Sequence, residues 1–173
     1  MKYFSIIGTV ALTTVLCWVS YAQAPDLSGD WRLDLGRSDL GVMGNTPPDI
    51  RLVVTLNGNV LTIKKTVTTS YGGSSTLFHF TTDGKECLNS SEHIPDLRGT
   101  ASFQNGRLVI RSEQEIVGMA GGANSQPEVQ YLKVESNEEY LVSDDGETLT
   151  ISQILELPDG RQSMTMVFKR VKD

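Results

Sequence analysis

A chain of 173 residues, 39% of them hydrophobic, is long enough to close one core and of a size that favours a single domain. Its formal net charge of −6 argues against nucleic acid and anionic membrane surfaces as partners. With only two cysteines, Cys17 and Cys87, it is not a disulfide-built scaffold.

The chain opens on the pattern of a secretion signal. Lys2 supplies a positive start, Phe4 to Tyr21 is apolar apart from small and hydroxyl residues, and Ala22-Gln23-Ala24 gives the small-x-small processing site. The apolar run approaches the roughly 20 residues of a membrane span. The processing pattern at its end points instead to cleavage, leaving Pro25 as the first mature residue. Cys17 follows Val15-Leu16 rather than a small residue, so no lipid or other membrane anchor is expected. The expected organisation is a signal peptide over 1–24 and one domain over 25–173, placed in a periplasm or outside the cell. Removing Lys2 takes one base from 15, and 14 bases against 21 acids leave the mature chain at −7. Cys87 then has no partner within the chain and reads as a small buried hydrophobe.

Along the mature chain, Asn57-Gly58, Gly72-Gly73, Asp83-Gly84, Asn105-Gly106, Asp145-Gly146 and Asp159-Gly160 mark tight turns. Between them lie β-branched and aromatic runs at Arg51 to Leu56, Val60 to Thr69, Thr76 to Thr82, Arg107 to Val117, Thr148 to Leu155 and Gln162 to Val171. Weaker strands are expected at Lys85 to Ser90, Gly99 to Gln104, Glu128 to Glu135 and Glu139 to Ser143. Trp31, Leu33 and Leu35 alternate with Asp30, Arg32 and Asp34, a period of two that excludes an amphipathic helix there. At most one helical turn is expected, around Arg37 to Leu40. Longer loops are expected at Gly36 to Asp49, Ser91 to Leu97 and Gly118 to Pro127. The sum is an all-β chain of about eight to ten antiparallel strands. Such a sheet curls closed to protect its edges, as a barrel or a two-sheet sandwich. The hairpin order favours an up-and-down barrel.

The segment Leu27-Ser28-Gly29-Asp30-Trp31 places a Gly-x-Trp at the start of the first strand. In that position it resembles the first signature of the lipocalin and wider calycin group. Taken with Thr81-Thr82-Asp83-Gly84-Lys85-Glu86 and Thr165-Met166-Val167-Phe168, the pattern also resembles small exported bacterial proteins described as lipocalin-like. The chain departs from lipocalins in lacking a clear Thr-Asp-Tyr signature, a C-terminal helix and a disulfide. The resemblance implies a barrel whose Gly-x-Trp indole, that of Trp31, is covered by a late arginine of the last strand. Arg170 is the matching position, sharing strand parity with Met164, Met166 and Phe168.

Candidate chemistry is sparse. His79 in Leu77-Phe78-His79-Phe80 lacks a local acid or nucleophile with which to act as a general base. Cys87, Glu92, His93 and Asp96 are zinc-ligand types without ligand spacing, so no metal is expected. Asp144-Asp145-Gly146-Glu147 reads as a turn rather than a calcium loop. No nucleophile elbow, phosphate loop or cofactor motif occurs, so no cofactor is expected and no catalytic residue is assigned. What remains is apolar lining. Phe80, Met164, Met166 and Phe168 are the expected ligand-facing residues, with Leu149, Ile151, Leu155, Leu52, Val54 and Leu56 around them, in either a cavity or a filled core. The expectation is a monomeric exported binding module for a small hydrophobic or amphipathic ligand. A calycin-like enzyme on a lipophilic substrate and an envelope interaction protein with a filled core stand as alternatives. An inward acid beside His79 would favour the enzyme.

Overall fold

The computed structural model describes residues 25–41, 47–91, 94–120 and 128–172. The signal-like segment, residues 42–46 of the expected first loop, Glu92, His93 and residues 121–127 of the glycine-rich stretch lie outside the described residues. Ten antiparallel strands follow one another along the chain: β1 (Gly29–Leu33), β2 (Asp49–Asn57), β3 (Val60–Thr69), β4 (Gly72–Thr81), β5 (Asp83–Ser91), β6 (Ile94–Gln104), β7 (Arg107–Ala120), β8 (Glu128–Val142), β9 (Thr148–Leu157) and β10 (Gly160–Arg170). Each pairs with its sequence neighbour except at β4 and β5, and β1 pairs with β10. The result is an up-and-down barrel, nearly closed, with its one unlaced seam between β4 and β5.

Period-two patterning sets the two faces. On β2, Ile50, Leu52 and Val54 are buried while Arg51, Val53 and Thr55 face out. On β1, Trp31 and Leu33 are buried, whereas Asp30 pairs with Arg51 and Arg32 with Asp49 on the outer face. Trp31, Leu61, Leu108, Leu149 and Phe168 are the most deeply buried large side chains of the strands. They cluster near the turns at Gly58, Asn105-Gly106 and Asp144-Asp145, so that end of the barrel is plugged.

The seam is bridged by side chains. The Asn89 carboxamide accepts from the His79 N–H at 2.6 Å and donates to the His79 carbonyl at 3.0 Å. A side-chain amide on β5 thus offers β4 the donor and acceptor that a facing backbone residue would supply. Asn89 is the one buried polar residue among those described. The β5–β6 register slips between Asn89 and Ser91, and a bulge of this kind re-aims the side chain beside it. Phe80 on β4 reaches across to Gly99 on β6. A Cβ there would stand 3.0 Å from the Phe80 ring and 2.9 Å from the Arg111 carbonyl, so the approach requires glycine.

Several local expectations shift. The β3–β4 turn falls at Ser70-Tyr71, and Gly72-Gly73 belongs to β4. Asp83-Gly84 begins β5 rather than forming the turn itself. The expected loop from Ser91 to Leu97 is mostly strand, with β6 starting at Ile94. The two weak strands around Glu128 to Ser143 are one strand, β8, running through Ser136-Asn137-Glu138. Among the described residues one helical turn occurs, at Leu35–Arg37, a little earlier than expected. Beyond it, Asp39 exchanges backbone hydrogen bonds with Thr165 of β10 at 2.8 and 2.7 Å, fastening this segment to the barrel.

Candidate functional site

The inner faces of the strands enclose a cavity of about 80 Å³. Its walls are largely apolar. Leu52 and Ile63 come from β2 and β3, Phe78 and Phe80 from β4, Leu97 and Ile110 from β6 and β7, and Ile151, Met166 and Phe168 from β9 and β10. Period two puts every one of these on the same face as the buried core.

One side of the cavity is polar. Glu138 and Tyr140, two residues apart on β8, both turn inward. Their neighbours in the sheet are Ile110 and Gln153 for Glu138, and Leu108 and Ile151 for Tyr140. The Tyr140 hydroxyl donates to Glu138 Oε2 at 2.5 Å, and Gln153 Nε2 donates to Glu138 Oε1 at 2.7 Å and to Ser136 Oγ at 3.1 Å. Burial first, then the Glu138 charge and their hydrogen bond, raise the Tyr140 phenol well above the usual tyrosine range. Lys65 on β3 also lines the cavity. Buried polar groups cost free energy unless they are hydrogen-bonded. Here the carboxylate holds two donors and the phenol is satisfied by it.

Of the residues singled out from sequence, Phe80, Met166 and Phe168 line the cavity, and Met164 is buried two positions earlier on β10 without lining it. His79 faces away from the cavity, is exposed, and has Thr62 Oγ1 at 3.4 Å from Nδ1. It therefore joins no inward acid. Cys87 is half-buried and packs against the core. The Asp144-Asp145-Gly146-Glu147 segment is a turn, with Asp145 Oδ1 accepting from Ser143 Oγ at 2.5 Å and from the Glu147 N–H at 3.0 Å. Sequence reasoning missed Glu138, Tyr140, Gln153 and Lys65. The available signal was parity: Glu138 and Tyr140 share a face two residues apart, as do Ile63 and Lys65.

Arg170 and Trp31 close the plugged end. They face each other in register across β1 and β10, with the guanidinium carbon 4.1 Å from the indole centroid. That is inside the roughly 6 Å reach of a cation over an aromatic face. The Trp31 Nε1–H donates to the Leu27 carbonyl at 3.0 Å, and Arg170 donates to the carbonyls of Gly146 and Ser28, each at 2.6 Å.

A larger open trough of about 720 Å³ lies on the outer face, where Arg98, Arg111 and Arg161 mix with Glu113, Glu135 and Glu156. Arg161 is paired with Glu156 there at 3.3 Å. Lined by charges of both signs and open to solvent, it lacks the enclosure by which small-molecule sites desolvate a ligand.

No protein-family model matches the sequence, and no curated protein sequence matches it. Among solved structures, the zebrafish ileal bile acid-binding protein complexed with cholic acid superimposes with a TM-score of 0.52 at 13% identity, over 83% of this chain and 98% of that one. This chain has a calycin-like fold. A mutant of the REP1-NXSQ fatty acid transporter aligns at 0.49 with 18% identity over 84% of this chain and 98% of that one. The secretory abundant heat soluble protein 4 of Ramazzottius varieornatus aligns at 0.48 with 11% identity over 84% of this chain and 94% of that one.

Proposed function

We propose that this barrel is an exported binding module that holds a small amphipathic ligand in its interior. The observation that carries the reading is the interior cavity itself, apolar on most of its wall and polar at the Glu138–Tyr140 side. Barrel sites for small molecules are built this way, with apolar surface supplying affinity and a few fixed polar groups supplying orientation. The zebrafish protein of the same fold, complexed with cholic acid, supports an amphipathic ligand class. At about 80 Å³ the cavity is well below the 300–1,000 Å³ of typical ligand sites. The ligand is accordingly short or compact, or the barrel widens as it enters. Export rests on the segment Met1 to Ala24 and its processing pattern.

Native mass spectrometry of the protein purified from the cells that make it tests both parts. The expected result is a mature chain beginning at Pro25 and carrying a reproducible added mass that organic extraction releases. A chain beginning at Met1 and retained in membranes removes the export reading. A chain that arrives empty, and whose thermal unfolding no amphiphile shifts, removes the binding reading.

A further inference from the structure

The polar side of the cavity has an unequal supply of donors and acceptors. Tyr140 has one hydroxyl hydrogen and gives it to Glu138. Gln153 has two amide hydrogens and gives one to Glu138 and one to Ser136. The donors of both residues are therefore committed. What they leave toward the cavity is acceptor capacity: a carboxylate has about four lone-pair sites, of which two are taken here, and the phenol oxygen retains its own. Lys65 brings the reverse, an ammonium with hydrogens to give and nothing that accepts, and the Ser112 hydroxyl, also on the wall, can do either.

We propose that the interior selects a neutral amphiphile whose head is a hydroxyl group, donating to Glu138 and accepting from Lys65. This inference rests on the interior-binding reading and adds the chemistry of the head. A hydroxyl is the smallest group that both donates and accepts, so it satisfies both walls at once. A carboxylate head brings acceptors to a wall that already has too many and places a second negative charge beside Glu138. An alkylammonium head brings a second positive charge beside Lys65 and must be stripped of water to enter. With one carboxylate and one ammonium already lining the cavity, a neutral head leaves the interior charge balanced. Leu52, Ile63, Phe78, Leu97, Ile110 and Ile151 then receive the tail.

The test compares three ligands with the same eight-carbon tail, octan-1-ol, octanoate and octylammonium, by amide NMR titration of the full mature chain at neutral pH. Octan-1-ol is expected to bind about tenfold more tightly than either charged ligand, the discrimination of one well-matched hydrogen bond. In Glu138→Gln, which keeps the shape but gives the wall amide hydrogens, octanoate is expected to draw level or lead. Lys65→Met leaves the Glu138 cluster untouched and is expected to weaken octan-1-ol about tenfold, which keeps the inference open to test if Glu138→Gln does not fold. Tightest binding of octanoate or octylammonium by the unaltered chain, or equal binding of all three, overturns the hydroxyl proposal while interior binding stands. So does a Lys65→Met variant that binds octan-1-ol unchanged. Binding of none of the three overturns this proposal, while the interior-binding reading is decided separately by the native mass spectrum and the unfolding screen.

Discussion

Arg170 occupies the space that a side chain on Gly29 would need. A Cβ at Gly29 would stand 2.3 Å from Arg170 Nη1 and 3.5 Å from Trp31 Nε1, and the φ of +151° there already favours glycine. The glycine and tryptophan of Gly-x-Trp are thus two halves of one requirement. The tryptophan offers a ring for the guanidinium to cover, and the glycine leaves that guanidinium room to reach the carbonyl of Ser28.

Arg170→Ala removes the cover on Trp31 and the donors to the Gly146 and Ser28 carbonyls. It is expected to cost about 2–3 kcal/mol in unfolding free energy, read as a lower urea midpoint with unchanged slope. Gly29→Ala is expected to cost a comparable amount by forcing the guanidinium aside. Arg170→Lys should recover only part of the loss, because an ammonium cannot reproduce the planar fork. A midpoint unchanged in Arg170→Ala contradicts the closure role.

Asn89→Leu keeps a buried side chain at the β4–β5 seam but leaves the His79 N–H and carbonyl without their partners. The expected cost is about 1–3 kcal/mol, and it should be local as well as global. Hydrogen exchange of the His79 amide is expected to speed up about tenfold or more relative to the amides of β2 and β3. Exchange that rises equally across all strands would show that Asn89 contributes only general packing.

Acid should loosen the outer network. Hydrogen bonds from Lys85 and Thr81 hold Asp83 down at about 2, and Asp30, Asp34 and Asp145 are also lowered, chiefly by Arg51, Lys169 and Ser143 respectively. A carboxylate lowered in the folded state contributes stability above its unfolded value of about 3.9, and that contribution is lost as pH falls through the folded value. The urea midpoint is therefore expected to fall between about pH 4 and about pH 2, with part of the fall removed in Asp83→Asn. A level midpoint across that window contradicts the pairing.

Alkali should act on Tyr140 in the opposite direction. Its raised value means that the folded barrel holds the phenol protonated, a contribution present below the unfolded tyrosine value of about 10 and lost as pH rises beyond it. In ultraviolet titration, the difference between the unaltered chain and Tyr140→Phe isolates this phenol. It is expected to ionise only as the barrel unfolds. Ionisation in the folded state near the ordinary tyrosine value would show that burial and the Glu138 contact do not hold the phenol protonated.

The sequence by itself determined the all-β class, the strand rhythm and the inward face of several strands, among them β1, β2 and β10, because alternation and turn dipeptides are local properties. The partnership of Trp31 with Arg170 was implied by the resemblance carried by Gly-x-Trp, with the parity of β10 supplying the inward face, whereas the room that Gly29 leaves for the guanidinium is visible only in the structure. Only the tertiary structure decided that Ser136-Asn137-Glu138 continues β8. These residues are poor strand formers by composition, and the long ladders to β7 and β9 outweigh that propensity. The polar side of the cavity was hidden for the same reason. Glu138 reads as a solvent-facing acid until Tyr140 and Gln153, drawn from two strands, are seen to donate to it. The seam follows suit: nothing in Asn89-Ser90-Ser91 indicates that a carboxamide will stand in for a strand, because its partner, His79, is assigned by the closing of the barrel.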